Sequence, residues 1–216
     1  MNKKKTKIRY IIGIDEVGRG PLAGPVAVCA FKIPTGILPR QIEFLFDWGG
    51  SMFTKKSGRI KDSKKLTKEK REEIFAKLKI LKKDKKVDYF VSYESAKKID
   101  KIGISKAIKN CLEKSLKKLK VKPKDCLVLL DGGLKAPEEY KNQKTIIKGD
   151  EKERAIAFAS IVAKVSRDSL MCKLAEKYPK YLFEVHKGYG TKKHCDAITK
   201  NGLCDEHRRY FCKRFI

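Results

Sequence analysis

Short apolar runs cover Arg9–Ile14 and Val26–Ile33, and both read as strands joined by a Gly/Pro-rich turn. The pattern then fails from Pro34 to Arg59. Pro-Thr-Gly, the aromatics Phe44, Phe46 and Trp48, and Gly49-Gly50 suit a long loop or short insertion. Ile74, Phe75, Leu78 and Leu81 share one helical face, so a helix is predicted after Lys61-Asp62-Ser63-Lys64-Lys65-Leu66, with Thr67 as N-cap. Val87–Tyr93 predicts a strand, and Ile108, Cys111, Leu112 and Leu119 set a helix over Ser105–Leu119. Cys126–Leu130 is apolar throughout, as in a strand buried on both faces, and Thr145–Ile147 is a shorter strand. A long helix is predicted from about Asp150 to Lys177. Its stretch Ala155–Ala163 is apolar nearly all round and rich in small residues, which suits close packing on a sheet. The remainder is basic and mixed, with one short helix over Lys192–Lys200. Strands alternating with helices define an α/β layer fold without internal repeats.

Composition narrows the class of protein. The 216 residues can build one sizeable core. Lys and Arg number 53 against 26 Asp and Glu, giving a net charge of +27 that is spread along the chain rather than packed into a tail. Eight Tyr and ten Phe exclude a disordered polycation, so the charge points to a folded surface that attracts polyanions. Seven Cys form no CxxC pair and leave an odd count, which suits reduced thiols rather than a disulfide framework. No apolar stretch approaches a membrane span, and the N-terminus lacks a signal-peptide core. A cytoplasmic protein with no membrane association is expected.

Against this basic background, Asp15 and Glu16 stand side by side at the end of an apolar run. Buried carboxylates are costly unless protonated, paired or bound to a cation. Sites in α/β sheets form at the C-terminal ends of strands, and three segments end there in acid: Asp15-Glu16, Asp131 and Asp150. Four carboxylates at one sheet edge suit Mg²⁺ or Mn²⁺, two of which would activate a water and stabilise the leaving oxygen in phosphodiester hydrolysis. Asp131-Gly132-Gly133 also reads as a simple turn, and Asp150 with Glu153 also reads as a capping box. Asp168 is set aside because it would lie ~27 Å along a helix begun at Asp150.

Gly18-Arg19-Gly20 follows the acidic pair and offers backbone of close approach beside it. Lys64, Lys65, Ser160 and Lys164 are further phosphate candidates, each with a surface or packing role as its alternative. Tyr189, between two glycines in His186-Lys187-Gly188-Tyr189-Gly190-Thr191, could serve as a platform for a sugar or base, or as an ordinary half-buried turn residue. The three His and nearby Cys of the C-terminal part match no usual zinc spacing. Neither G-x-G-x-x-G nor a Walker loop occurs.

The runs GIDEVGRGPLAGP, KDSKKLT, LLDGG, KGD, ASIVAKVSRD and HKGYGT, in this order, resemble type 2 ribonuclease H (ribonuclease HII) over nearly the whole chain. The resemblance implies a ribonuclease-H-like mixed sheet flanked by helices, with a catalytic unit over 1–178, an insertion at 41–59 and a small helical C-terminal extension over 179–216. It implies Mg²⁺- or Mn²⁺-dependent cleavage of RNA in RNA–DNA hybrids and incision 5′ of ribonucleotides embedded in duplex DNA. On that likeness the metal-binding acids are Asp15, Glu16, Asp131 and Asp150, the 2′-hydroxyl is sensed by Gly18, Arg19 and Gly20, and Tyr189 stacks on the following deoxyribose. A monomer is expected. The end at Lys213–Ile216 carries no clear sliding-clamp motif, and the insertion is longer than in most relatives. A nucleic-acid binder without catalysis and a metal-dependent DNA nuclease or resolvase are the rival readings.

Overall fold

The computed structural model describes residues 7–36 and 66–215. The insertion at 41–59, with Lys64 and Lys65, therefore lies outside the described residues.

Among the described residues five strands form one sheet: β1 (Tyr10–Val17), β2 (Val26–Pro34), β3 (Asp88–Glu94), β4 (Cys126–Asp131) and β5 (Gln143–Ile146), in the order β3-β2-β1-β4-β5. β1–β2 and β2–β3 pair antiparallel, whereas β1–β4 and β4–β5 pair parallel. The apolar residues of β1 and β2 alternate between two packed faces. One face carries Cys29, Phe31 and Ile33 against α1 (Lys68–Lys83) and α4 (Arg154–Lys177). The other carries Ile12, Ile14, Val28 and Val128 against α2 (Ala96–Ile102) and α3 (Ile104–Lys118).

α1 begins as the sequence predicts: the Thr67 hydroxyl accepts from the Lys70 amide at 3.3 Å. α4 does not. Lys148 takes a left-handed conformation, Gly149–Glu151 form a 3-10 turn, and the helix starts only at Arg154 with no side-chain cap from Glu153. The capping-box reading of Asp150 and Glu153 is thus corrected. β1 also runs past Ile14, because Asp15, Glu16 and Val17 stay paired with Cys29, Val28 and Ala27. The acids are paired residues near the end of the strand, just before its last pair at Val17, rather than the start of a turn.

Beyond α4 come two short helices, α5 (Phe183–His186) and α6 (Lys192–Asn201), and a 3-10 segment over Arg209–Phe215. This part packs through Tyr181 and Phe183 onto Met171 and Ala175 of α4 and onto Ala23 of the β1–β2 loop. Ala23 also bridges to His207, so the C-terminal segment lies against the loop that follows the acidic pair.

Candidate active site

The parallel pair β1–β4 brings the acids together. Ile14 is paired with Leu130, so Asp15 and Asp131 follow side by side near the ends of their strands, both on the face that α4 covers. Glu16 follows at the end of the strand and lines the same cavity, and its carboxylate meets Arg19 at 3.7 Å. Asp15 is 6% exposed. Its Oδ1 accepts from the Glu16 amide at 2.8 Å, and Asp131 Oδ1 accepts from the Gly149 amide at 2.7 Å. Burial pushes the Asp15 carboxyl up to about 8, a Ser160 hydrogen bond draws it down, and the Glu16 and Asp131 charges raise it further.

These side chains line a cavity of about 340 Å³ with Val17, Arg71, Ser160, Lys164 and Tyr189. Lys164 pairs with Asp168 at 2.9 Å, so Asp168 is held on the helix, as the sequence suggested, and does not line the cavity. Asp150 is 2% exposed in its 3-10 turn, next to the glycine that binds Asp131, and is not among the lining residues. Among the described residues, no three His, Cys, Asp or Glu side chains are gathered closely enough to hold an ion as they stand. The donor chemistry nevertheless fits a hard divalent cation. Three acidic residues line one cavity, and burial pushes the Asp15 carboxyl up to about 8, so a cation binding there would displace its proton.

The Gly18–Pro25 loop is fastened from below. Gly18 has φ +87°, and a Cβ there would overlap the Arg167 guanidinium. Gly20 faces open space and Arg19 is exposed, which leaves the tip of the turn accessible. Arg19 also reaches a second cavity of about 680 Å³ between α3 and the segment 133–139. Tyr189 is 39% exposed, with Lys164 Nζ 6.0 Å and Arg167 Cζ 5.9 Å from its ring centre.

Histidines hold the main chain around Tyr189. His194 Nδ1 lies 2.9 Å from the Tyr189 carbonyl and His194 Nε2 lies 3.2 Å from His207 Nε2. His207 Nδ1 accepts from the Cys204 amide, and His186 Nδ1 accepts from the Gly188 amide. One tautomer set satisfies all of these bonds with every ring neutral: His207 donates to His194, and His194 donates to Tyr189. Burial favours that state, pushing His194 and His207 down to about 4 and lowering His186. These hydrogen bonds order the loop around Tyr189.

Sequence reasoning missed Arg71, Arg167 and Arg208. Arg71 carried a signal, as a base one turn into α1, where the helix dipole disfavours it. Arg167 carried another: it lies seven residues after Ser160 on the buried stripe of α4, among apolar positions. Arg208 had none.

The mixed sheet, its order and its flanking helices are those of the ribonuclease H fold. Two solved structures share it: the ribonuclease HII of Archaeoglobus fulgidus in its complex with PCNA, and Bst-RNase HIII in complex with Mn²⁺. The first is 23% identical with a TM-score of 0.68, covering 92% of this chain and 93% of that one. The second is 18% identical with a TM-score of 0.66, covering 92% of this chain and 64% of that one. The family model for ribonuclease HII matches residues 12–215, and the ribonuclease HII of Caldicellulosiruptor bescii is 42% identical over 208 residues, 96% of this chain and 89% of its own. The chain belongs to the ribonuclease HII family. It is a ribonuclease H, and its substrates are RNA–DNA hybrids.

Proposed function

We propose that this enzyme is a divalent-metal-dependent endonuclease that also incises duplex DNA on the 5′ side of a single embedded ribonucleotide, leaving 3′-hydroxyl and 5′-phosphate ends. The observation that carries the reading is the cavity in which Asp15, Glu16 and Asp131 meet Arg71, Lys164 and the exposed Tyr189. Carboxylates alone would repel a phosphodiester. Cationic groups on the same wall, and a basic surface around it, supply the attraction.

Asp15, Glu16 and Asp131, with Asp150 as the neighbouring fourth acid, would hold Mg²⁺ or Mn²⁺; Mn²⁺ is the ion bound by the related Bst-RNase HIII. The ion would supply Lewis-acid stabilisation of the phosphoryl oxygens and a nucleophilic water at neutral pH. Asp15 must lose its proton for this role, and its hydrogen bond from the Glu16 amide holds the carboxylate in place meanwhile. Lys164 and Arg71 orient phosphates, Ser160 fixes Asp15, and Tyr189 offers its ring to the sugar that follows the ribonucleotide. The open tip at Gly18-Arg19-Gly20 lets a ribose approach main-chain groups closely, the contact that distinguishes a 2′-hydroxyl from hydrogen.

The test is a DNA duplex carrying one ribonucleotide, incubated with Mg²⁺ and with Mn²⁺, beside an all-DNA duplex and a full RNA–DNA hybrid. Incision 5′ of the ribonucleotide is expected with at least one metal, and none in the all-DNA duplex. Cleavage of the hybrid alone would overturn the proposal and leave only the hybrid activity standing.

A further inference from the structure

Arg167 and Arg208 are both 0% exposed, and among the described residues neither guanidinium hydrogen-bonds a carboxylate, although the charges of Asp168 and Asp100 respectively favour their ionised forms. Their hydrogen bonds all go to main-chain carbonyls. Arg167 donates from Nε to Pro25 at 2.8 Å, from Nη1 to Lys187 at 3.0 Å and from Nη2 to Ala23 at 3.3 Å. Arg208 donates from Nε to Gly24 at 3.0 Å, from Nη1 to Arg19 at 3.0 Å and from Nη2 to Gly18 at 2.6 Å.

Two buried guanidiniums are a poor choice for stability alone, because desolvating them costs several kcal/mol that apolar side chains of similar size would not incur. What an apolar side chain cannot do is aim carbonyls. A planar fork of donors fixes the direction of each group it binds. Here the forks grip both segments expected to read the substrate. Arg208 binds the carbonyls of Gly18 and Arg19 themselves. Arg167 spans the Gly18–Pro25 loop and Lys187, two residues before Tyr189, and its guanidinium lies 5.9 Å from the Tyr189 ring centre.

Two further links join the same segments. The Gly188 carbonyl accepts from the amides of Leu22 and Ala23 at 2.8 and 3.3 Å. Gly188 itself has φ +84°, and a Cβ there would overlap the Ala23 carbonyl oxygen.

We propose that Arg167 and Arg208 are positioning residues that lock the Gly18-Arg19-Gly20 turn and Tyr189 into one rigid unit, and that this unit sets how strictly the enzyme requires a 2′-hydroxyl. The inference rests on the proposed incision at single ribonucleotides. A reader on a loose loop would shift by fractions of an ångström between alternatives, and misplacement on that scale lowers a positioned reaction strongly.

The experiment compares incision of two duplexes that differ only in carrying a ribonucleotide or a 2′-fluoro nucleotide at one position. Arg167→Lys keeps the charge but loses the fork, and Arg208→Lys does the same at Gly18 and Arg19. The expected result is a fall in the ribo/2′-fluoro ratio of kcat/KM by roughly 10- to 100-fold, carried by kcat on the ribonucleotide rather than by KM. Gly188→Ala leaves both arginines in place and wedges the two loops apart, so it must lower the same ratio; it decides the matter if the arginine variants do not fold. A merely structural role would slow both substrates together and leave the ratio unmoved, and that result would overturn the proposal. Absence of ribonucleotide incision by the unaltered enzyme would instead overturn the proposed function.

Discussion

Asp15 is asked to do two incompatible things at the scale of a single residue. It sits in a nearly closed position where a charge is costly, and it faces Asp131 and Glu16, which make a second charge costlier. In the absence of a cation its folded-state value of about 8 lies above the ordinary 3.8. The folded protein therefore binds a proton that the unfolded chain has released between those two values. The stability this contributes is fully present below about pH 4 and is lost as pH rises through about 8. In EDTA, the thermal midpoint should accordingly fall more steeply from pH 5 to pH 8 in the natural protein than in Asp15→Asn, which has no proton to lose. At pH 8 the variant should melt higher, although it should fail to incise. Adding Mg²⁺ at pH 8 should raise the midpoint of the natural protein and leave the variant unmoved. Equal pH slopes for the two proteins in calorimetry would show that burial does not hold this proton.

The packing of α4 on β1 is the contact between elements that puts Ser160 beside Asp15. It depends on one missing atom: a Cβ on Gly13 would overlap the main chain of Ala155 and Ile156. Backbone cannot give way as a side chain end can, so Gly13→Ala should destabilise the fold by about 3 kcal/mol or more, measured by urea unfolding. A loss below ~1 kcal/mol would mean that α4 slides without cost. At this scale the sequence was a partial guide. The small residues Ala155, Ala157, Ala159 and Ala163 announced a helix lying close on a sheet, and Thr67 announced the start of α1, because both signals are local. The end of β1 and the start of α4 were displaced because pairing with Cys29, Val28 and Ala27 and a left-handed Lys148 set them. The brief α2, seven residues after its Ser95 cap, passed unseen for want of a full apolar period. The meeting of Asp15 and Asp131 at one cavity was legible because carboxylates after apolar runs are conspicuous, whereas Asp150 is set in a 3-10 turn off that cavity. The anchors were not: the carbonyls that bind Arg167 and Arg208 lie up to 190 residues away, and a main-chain carbonyl leaves no mark in the sequence.

Over the whole molecule, charge and chemistry divide the labour. The net +27 is distributed along the chain, while Asp15, Glu16 and Asp131 share one cavity at the end of the central strands. A basic surface cannot tell a ribonucleotide from a deoxyribonucleotide, since both offer the same phosphates; it can only concentrate duplex near the cavity. Affinity should therefore be nearly independent of the ribonucleotide and strongly dependent on salt, whereas discrimination should survive salt. With Asp15→Asn, which should bind without cutting, the logarithm of the association constant should fall linearly with the logarithm of KCl concentration. The slope should be near −4.5 if about five phosphates are neutralised, and parallel for all-DNA and ribonucleotide-containing duplexes. In the unaltered enzyme, raising KCl should increase KM by the corresponding factor and leave kcat almost constant. Titration by fluorescence anisotropy and steady-state rates over the same salt series check both halves. A flat salt response would remove the basic surface from the mechanism. A slope that steepens only for the ribonucleotide duplex would move discrimination out of the cavity and into the encounter, because extra phosphates would then be engaged only when a 2′-hydroxyl is present.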